Sequence, residues 1–200
     1  MSVDAAALHE LVRATRTYRR YDGSAVTEET LRELVDTARF AATGNNMQVM
    51  RFHLVAGGTS EADVVFSHLH WAGALEDWNG PVEGELPGGY VMLCLPEAAA
   101  KNPVRLIDVG IAGQTLALAA SARGLGYCMH KSYDACLGDE LGLTERGFTI
   151  AMAMSFGPRG ELVVLEDAGS EAAAPHGLTY WREADGSHHV PKLSVDELLV

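Results

Sequence analysis

Cysteine is scarce in this 200-residue chain, and basic residues are outnumbered by acidic ones. Cys94, Cys128 and Cys136 are odd in number and form no C-x-x-C pair, which argues against a disulfide framework and fits reduced intracellular thiols. Fifteen Lys and Arg against 27 Asp and Glu leave a formal net charge of −12. Nucleic-acid backbones and anionic membrane surfaces are therefore not expected as partners. The first residues, MSVDAAALHE, carry no basic stretch followed by an apolar run, so no secretory signal is read there. The longest apolar stretch, residues 107–120, is interrupted by Asp108 and Gln114 and is too short to cross a bilayer. A cytoplasmic protein is the expectation. The templates GxxxxGK[ST], GxSxG and HExxH are all missing. His68 and His70 stand two apart and would not share a helix face, and His188-His189 has no companions at metal spacing, so no metal site is expected.

What the chain does have is a core. Hydrophobic residues make up 48% and charged residues 21%, the composition of a globular domain. Neither an internal repeat nor a linker divides it, so residues 1–200 read as one domain. Residues 3–14 read as a helix. Residues 26–42 read as another, with Thr27 at the N-cap, Glu28 and Glu29 in the first turn, and Leu31, Leu34, Val35 and Ala38 forming one apolar stripe. A strand is expected at 51–56, a helix from Ser60 towards Trp71, and a strand at 90–95. Residues 105–123 are apolar in every direction, a helix that needs burial all round; a subunit interface or a deep core would each supply it. Strands at 126–129 and 148–156, a helix at 133–141 and a Ser194–Glu197 capping box complete the pattern. Mixed helices and strands with few regular βαβ units predict an α+β sandwich.

Three segments carry chemistry. In residues 13–20, Arg13, Arg16, Arg19 and Arg20 gather four of the 15 basic residues. A helical turn would put Arg16 and Arg19 on one side, and with the Thr17 hydroxyl they would make a phosphate site. A basic face paired with the abundant carboxylates is the other reading. In AATGNNMQVMRF (residues 41–52), Asn46 and Gln48 offer the mixed donors and acceptors that suit a flavin's pyrimidine edge, or serve simply as turn residues. GLGYCMHKSYD (residues 124–134) is no dinucleotide fingerprint, because position 129 is Met. Its stretch from Met129 to Ser132 could present backbone N–H groups to a ligand or could be a plain connection. Trp71 and Trp78 are core or pocket lining.

Taken in this order, the segments resemble the flavin-dependent nitroreductase family. RTYRRY (residues 16–21) is similar to its N-terminal R-S/T-x-R-x-[FY] motif. AVTEETLRELVDTAR matches its P-V-x-x-E-x-L-x-x-L-L-x-A-A-R run, ATGNNMQVMRF its P-S-x-x-N-x-Q-P-W-R-F block, and DVGIAGQTLALAASARGLG (residues 108–126) its D-x-G-x-A stretch. WAGALEDW (71–78) and YWREADGSHHVPK (180–192) look like those of a short bacterial subgroup. Ala42-Thr43 stands for the usual Pro-Ser, Val49-Met50 for Pro-Trp, and Leu193 where a second basic residue is often found.

The resemblance implies an antiparallel-core sheet flanked by helices, in an intertwined homodimer with shared FMN sites. By it, Arg16, Thr17 and Arg19, with Lys192, would hold the FMN phosphate. Thr43, Gly44, Asn46 and Gln48 would approach the flavin, with Thr43 and Gly44 coming from the other subunit. Met129, His130, Lys131 and Ser132 would run past the ring, and Trp71 and Trp78 would line the acceptor pocket. The implied activity is transfer of a hydride from NADH or NADPH through flavin N5 to a small electron-poor acceptor: a nitroaromatic, a quinone or an unsaturated carbonyl. No side chain is nominated as acid or base, because the cofactor carries the chemistry. A flavin-binding protein without catalysis is the alternative on the same fold.

Overall fold

The computed structural model describes residues 4–75 and 77–200. Side chains that stop the chain from fraying set its helix starts. The Asp4 carboxylate accepts from the Ala6 N–H at 3.1 Å and opens α1 (Ala5–Ala14), and the Thr27 hydroxyl accepts from Thr30 N–H and opens α2 (Glu28–Ala38). β1 (Arg51–Ala56) has the expected limits. Thr59, not Ser60, caps α3 (Ser60–His68), which ends three residues short of Trp71. β2 (Gly89–Pro96) follows, then α4 (Pro103–Ala122), capped by the Asn102 side-chain Oδ1, which accepts from Val104 N–H, with Pro103 in its first turn. β3 (Leu125–His130), α5 (Leu137–Glu140) and β4 (Phe148–Pro158) come next. The helix expected over 133–141 shrinks to α5, because residues 133 and 134 pair instead with the chain leaving α3: Leu69 bridges Tyr133, and Asp134 N–H donates to His68 O.

β1, β2, β4 and β3 form, in that order, one antiparallel sheet. β2 is apolar without interruption because both its faces are covered. Val91, Leu93 and Leu95 pack with α2 and α4, beside Leu31, Leu34, Leu116 and Phe156. Tyr90, Met92 and Cys94 point the other way, towards α3 and α5, beside Val65, Leu69, Leu137 and Leu141. Alternation of period two thus feeds two cores from one strand. The architecture is the expected α+β sandwich.

Two sequence expectations change. The chain after residue 158 is more regular than expected: β5 (Val163–Asp167), β6 (Trp181–Arg182) and β7 (His188–Lys192) form a second sheet in the order β5-β7-β6, with β5 parallel to β7. These strands are short and rich in His and charge, so no apolar alternation announced them. α6 (Val195–Leu198) follows, with both halves of the capping box between Ser194 and Glu197 in place. The second change concerns α4. Its 20 residues are long and apolar enough, by length and composition, to cross a membrane, whereas the sequence reading set the run as too short. The helix lies over the sheet through Val109, Ala112, Leu116 and Ala120. It is not buried all round within the chain, since Val104, Leu106, Ile107 and Ile111 stay exposed, Ile107 by 61%.

Candidate functional site

Thr15 to Tyr21 leave α1 in extended form and run beside the outer strand of the main sheet. Thr17 bridges Tyr127 in parallel, and Tyr18 N–H donates to Tyr127 O at 2.7 Å. The approach needs glycine at 126, because a Cβ there would sit 2.8 Å from the Tyr18 ring. Arg16 and Arg19 are therefore joined by an extended segment and not by the helical turn expected. They still meet. Thr15, Arg16, Thr17, Arg19, Gln114, Tyr127, Tyr180, His188, Val190 and Lys192 line one cavity of about 270 Å³.

Three further residues hold Arg19 in place. The Glu161 carboxylate, buried, accepts from the backbone N–H groups of Arg19 and Arg20, at 2.5 and 3.1 Å, and pairs with Arg182 at 2.7 Å. Arg19 lies over the Tyr180 ring at 4.4 Å and donates to His188 Nε2 at 3.1 Å. His188 is fully buried, and burial, then the Arg19 charge, lowers its pKa to about 4. With Nε2 accepting, the neutral ring carries its proton on Nδ1. Among the described residues that atom has no partner, and neither does Arg16 Nε. Buried donors left unmatched each cost about 1–3 kcal/mol. The cavity therefore offers cationic groups, unmatched donors and, among the described residues, no lining carboxylate, in a chain of net charge −12. Such a site is built for an anion with several acceptor oxygens.

Sequence reasoning placed Arg16, Thr17, Arg19 and Lys192 here, and the structure brings all four together. It missed Glu161, Tyr180 and His188. The pair His188-His189 had been weighed only as metal ligands, although its neighbour Lys192 already pointed to this segment. Arg20 leaves the site, pairing with Glu85 at 3.2 Å, and Arg13 lines a different groove with Glu10 and Arg159.

The 43–48 turn lies elsewhere in the chain. Asn45, Asn46 and Gln48 all have positive φ, between 46° and 54°, a conformation that asparagine tolerates better than most residues. The turn is tied to α4. Asp108 Oδ1 accepts from Gly44 N–H at 2.8 Å, Arg105 donates to Gly44 O, and Arg105 and Asp108 form a buried ion pair at 2.8 Å. A Cβ on Gly44 would come within 2.4 Å of Val104. Gln48 donates to the Asn46 side-chain oxygen at 3.2 Å. Thr43 and Gln48 line a cavity with Arg39, Met50 and Ala112 that shares no residue with the arginine cavity.

From 129 to 132 the side chains diverge. Met129 packs into the α4 core, while His130 points to the other face and is buried, its Nε2 2.9 Å from Ser155 Oγ and its ring edge-on to Trp71 at 4.6 Å. Burial, with the Arg19 charge adding, lowers the His130 pKa to about 3. Lys131 donates to Ala151 O, and Ser132 O accepts from His70 N–H. Trp71 packs on the α3 core, whereas Trp78 is half-buried in a cleft with Arg20, Leu75 and Arg182, the last guanidinium 4.3 Å from its ring. Neither tryptophan lines the arginine cavity.

Comparison with known proteins bears on what this arrangement is. Residues 12–157 match the model of the nitroreductase family. No curated protein matches the chain. Among solved structures, a provisionally named nitroreductase from Desulfovibrio desulfuricans, in complex with FMN, is 21% identical, covers 80% of this chain and 89% of its own, and superposes with a TM-score of 0.65. A provisionally named NAD(P)H:FMN oxidoreductase from Staphylococcus epidermidis is 13% identical over 96% of this chain and 94% of its own, with a TM-score of 0.67. A nitroreductase family protein from Streptococcus pneumoniae is 14% identical, covering 77% and 91%, with a TM-score of 0.62. These likenesses establish the fold. The family match stops at residue 157, before Tyr180, His188 and Lys192. It spans most of the chain, and the chain belongs to the nitroreductase family.

Proposed function

We propose that this protein is an FMN-dependent oxidoreductase that passes a hydride from NAD(P)H to an electron-poor organic acceptor. The observation that carries the reading is the arginine cavity: Arg16, Arg19 and Lys192 converge with unmatched buried donors at one anion-sized site. These residues fit a flavin's terminal phosphate. When bound, FMN supplies two-electron chemistry at its N5, which no protein side chain can replace. The chain's own part is to hold and shield. Arg16, Thr17 and Arg19 bind the phosphate, Glu161 fixes the backbone at Arg19 and Arg20, and His188, kept neutral, aims Arg19 and adds a donor.

A second copy of this chain completes the site in this reading. The 43–48 turn and the arginine cavity do not share residues within one protomer. The exposed apolar side of α4, with Phe40 and Met47 exposed near the turn's sequence, offers the surface for pairing. A shared interface would bring one protomer's Thr43, Gly44, Asn46 and Gln48 towards the other's flavin, beside the 129–132 backbone. Of the two half-buried tryptophans, Trp78, which lines an open cleft with Arg20 and Arg182, is the candidate for the acceptor side. The acceptor is a flat nitroaromatic, a quinone or an unsaturated carbonyl.

Anaerobic stopped-flow mixing of the FMN-loaded protein with NADH or NADPH is the direct test. Bleaching of the flavin absorbance, followed by its return on adding a nitroaromatic or quinone, is the expected record. A flavin that binds but is not reduced by either nucleotide would make the protein a flavin carrier instead.

A further inference from the structure

On the face of the sheet opposite α4, three potential metal ligands come together that the sequence scatters. The donor atoms of His68, Cys136 and Glu140 lie within 4.8 Å of one another. His68 is the last residue of α3. Cys136 immediately precedes α5 and Glu140 lies one turn further on, four residues away and on the same helical face. The two segments are fastened to each other: Asp134 N–H donates to His68 O, His70 N–H donates to Ser132 O, and Leu69 packs with Leu137 and Leu141. The ligands thus sit on a shared, buried base and their functional ends are exposed or half-exposed.

From this geometry we infer that His68, Cys136 and Glu140 form a binding site for one divalent transition-metal cation of the zinc class. An imidazole, a thiolate and a carboxylate are the donor set that Zn²⁺ takes. The environment of His68 favours it further. Nδ1 faces Asp134 Oδ2 at 3.0 Å while Nε2 faces Glu140 Oε1 at 3.1 Å. A neutral imidazole has one N–H and donates to only one of these carboxylates, so the nitrogen facing the other holds either a second proton or a metal cation. Cys136 Sγ lies 3.8 Å from Nδ1 and Glu140 Oε1 lies beside Nε2; with Nδ1–H given to Asp134, Nε2 is the ligand and the thiolate must swing round to join it. That is the carboxylate–histidine–metal arrangement that orients metal-bound histidines, and Asp134 is itself held by His70 at 2.9 Å. Ligand bonds of about 2.0–2.3 Å imply donor separations of about 3.3–3.7 Å in a tetrahedral site. The exposed Cys136 and Glu140 side chains reach these by rotating, and water fills the remaining position. His68 and His70 fail as a pair on one helix, but α3 ends between them, and the ligands come from residues 68 and 72 positions further along the chain.

The test uses the purified full-length chain, stripped with a chelator and titrated with Zn²⁺, then with Co²⁺. One ion per chain is expected, and Co²⁺ should give a near-ultraviolet thiolate charge-transfer band. Zn²⁺ should also protect Cys136 from alkylation, a clean readout because Cys94 and Cys128 are buried, their thiols pushed up by burial to about 12 and about 11. Cys136→Ser should abolish the band, His68→Gln should weaken Zn²⁺ binding at least about tenfold, and Asp134→Asn about 10- to 100-fold as a positioning residue. Metal-free melting temperatures of the three variants should match the metal-free wild type, which separates ligand loss from unfolding. A missing cobalt band, or Zn²⁺ affinity unchanged in Cys136→Ser, would overturn the assignment and leave only an ion-pair cluster with adventitious histidine binding.

Discussion

At the scale of single residues, the arginine cavity makes a quantitative demand. Charge-assisted hydrogen bonds contribute roughly 1.5–3 kcal/mol each, so Arg16→Ala or Arg19→Ala should weaken FMN binding about 10- to 150-fold. Equilibrium titration with FMN measures this; full flavin occupancy in both purified variants would remove the phosphate assignment. A second residue-scale prediction concerns His130 and acid. Its pKa falls from 6.5 in the open chain to about 3 in the fold, so between these values the unfolded chain binds a proton that the fold refuses. Stability is then complete above about pH 6.5 and declines as the pH drops, by up to ~1.4 kcal/mol per pH unit for one such site. His188, lowered to about 4, acts in the same direction. Urea unfolding across pH 4–7 should show a shallower decline for His130→Gln than for the wild type. Equal slopes would mean that the ring is charged in the fold.

At the scale of elements, α4 has two faces that its sequence does not distinguish. Gly113 looks inward, where a Cβ would stand 3.1 Å from Met152 Sδ and 3.7 Å from Met129 Cε. Gly110 faces open space, and Ile107 and Ile111 flank it on the exposed side. Substitutions at 113 and 107 should therefore fail differently. Gly113→Leu overpacks the helix against its own sheet and should cost about 1–3 kcal/mol of stability. Ile107→Glu leaves the fold intact but puts a charge on the apolar side, and should turn a dimer into monomers. Sedimentation velocity and thermal melting of both variants distinguish these outcomes; a wild type that is monomeric with flavin bound would defeat the shared-site reading. The Arg105–Asp108 pair adds a second role for this helix, since it grips the Gly44 turn from both its N–H and its carbonyl.

At the scale of the whole molecule, two parts of unlike character cooperate. The four-stranded sheet with its helices carries Arg16, Thr17 and Arg19 at its edge, and the small sheet β5-β7-β6 brings Tyr180, His188 and Lys192 to the same cavity. A ligand bridging both parts stabilises the native state by an amount that grows with its saturation, about 2.7 kcal/mol at a hundredfold excess over Kd. FMN should accordingly raise the melting temperature, and riboflavin, lacking the phosphate, should raise it much less at equal concentration. Equal shifts by the two flavins would place the binding energy away from the arginine cavity.

The sequence by itself determined the elements whose physics is local. Thr27 and Asn102 cap helices, the unbroken apolar run along residues 90–95 makes a strand, and the Leu31–Leu34–Ala38 stripe selects a face of α2. It also determined the family motifs, because RTYRRY keeps its residue types and ATGNNMQVMRF keeps Asn46, Gln48, Arg51 and Phe52 in order. Tertiary structure alone decided which distant groups meet. Glu161 reaches Arg19 across 142 residues, Asp134 reaches His68 across 66, and His188 reaches Arg19 across 169. Each of these contacts is made by a polar side chain on a loop, a short strand or the last turn of a helix, where no periodicity records the partner. Hydrophobic patterning carries information about the nearest core, while a polar contact depends on where the completed fold happens to bring two chain segments together.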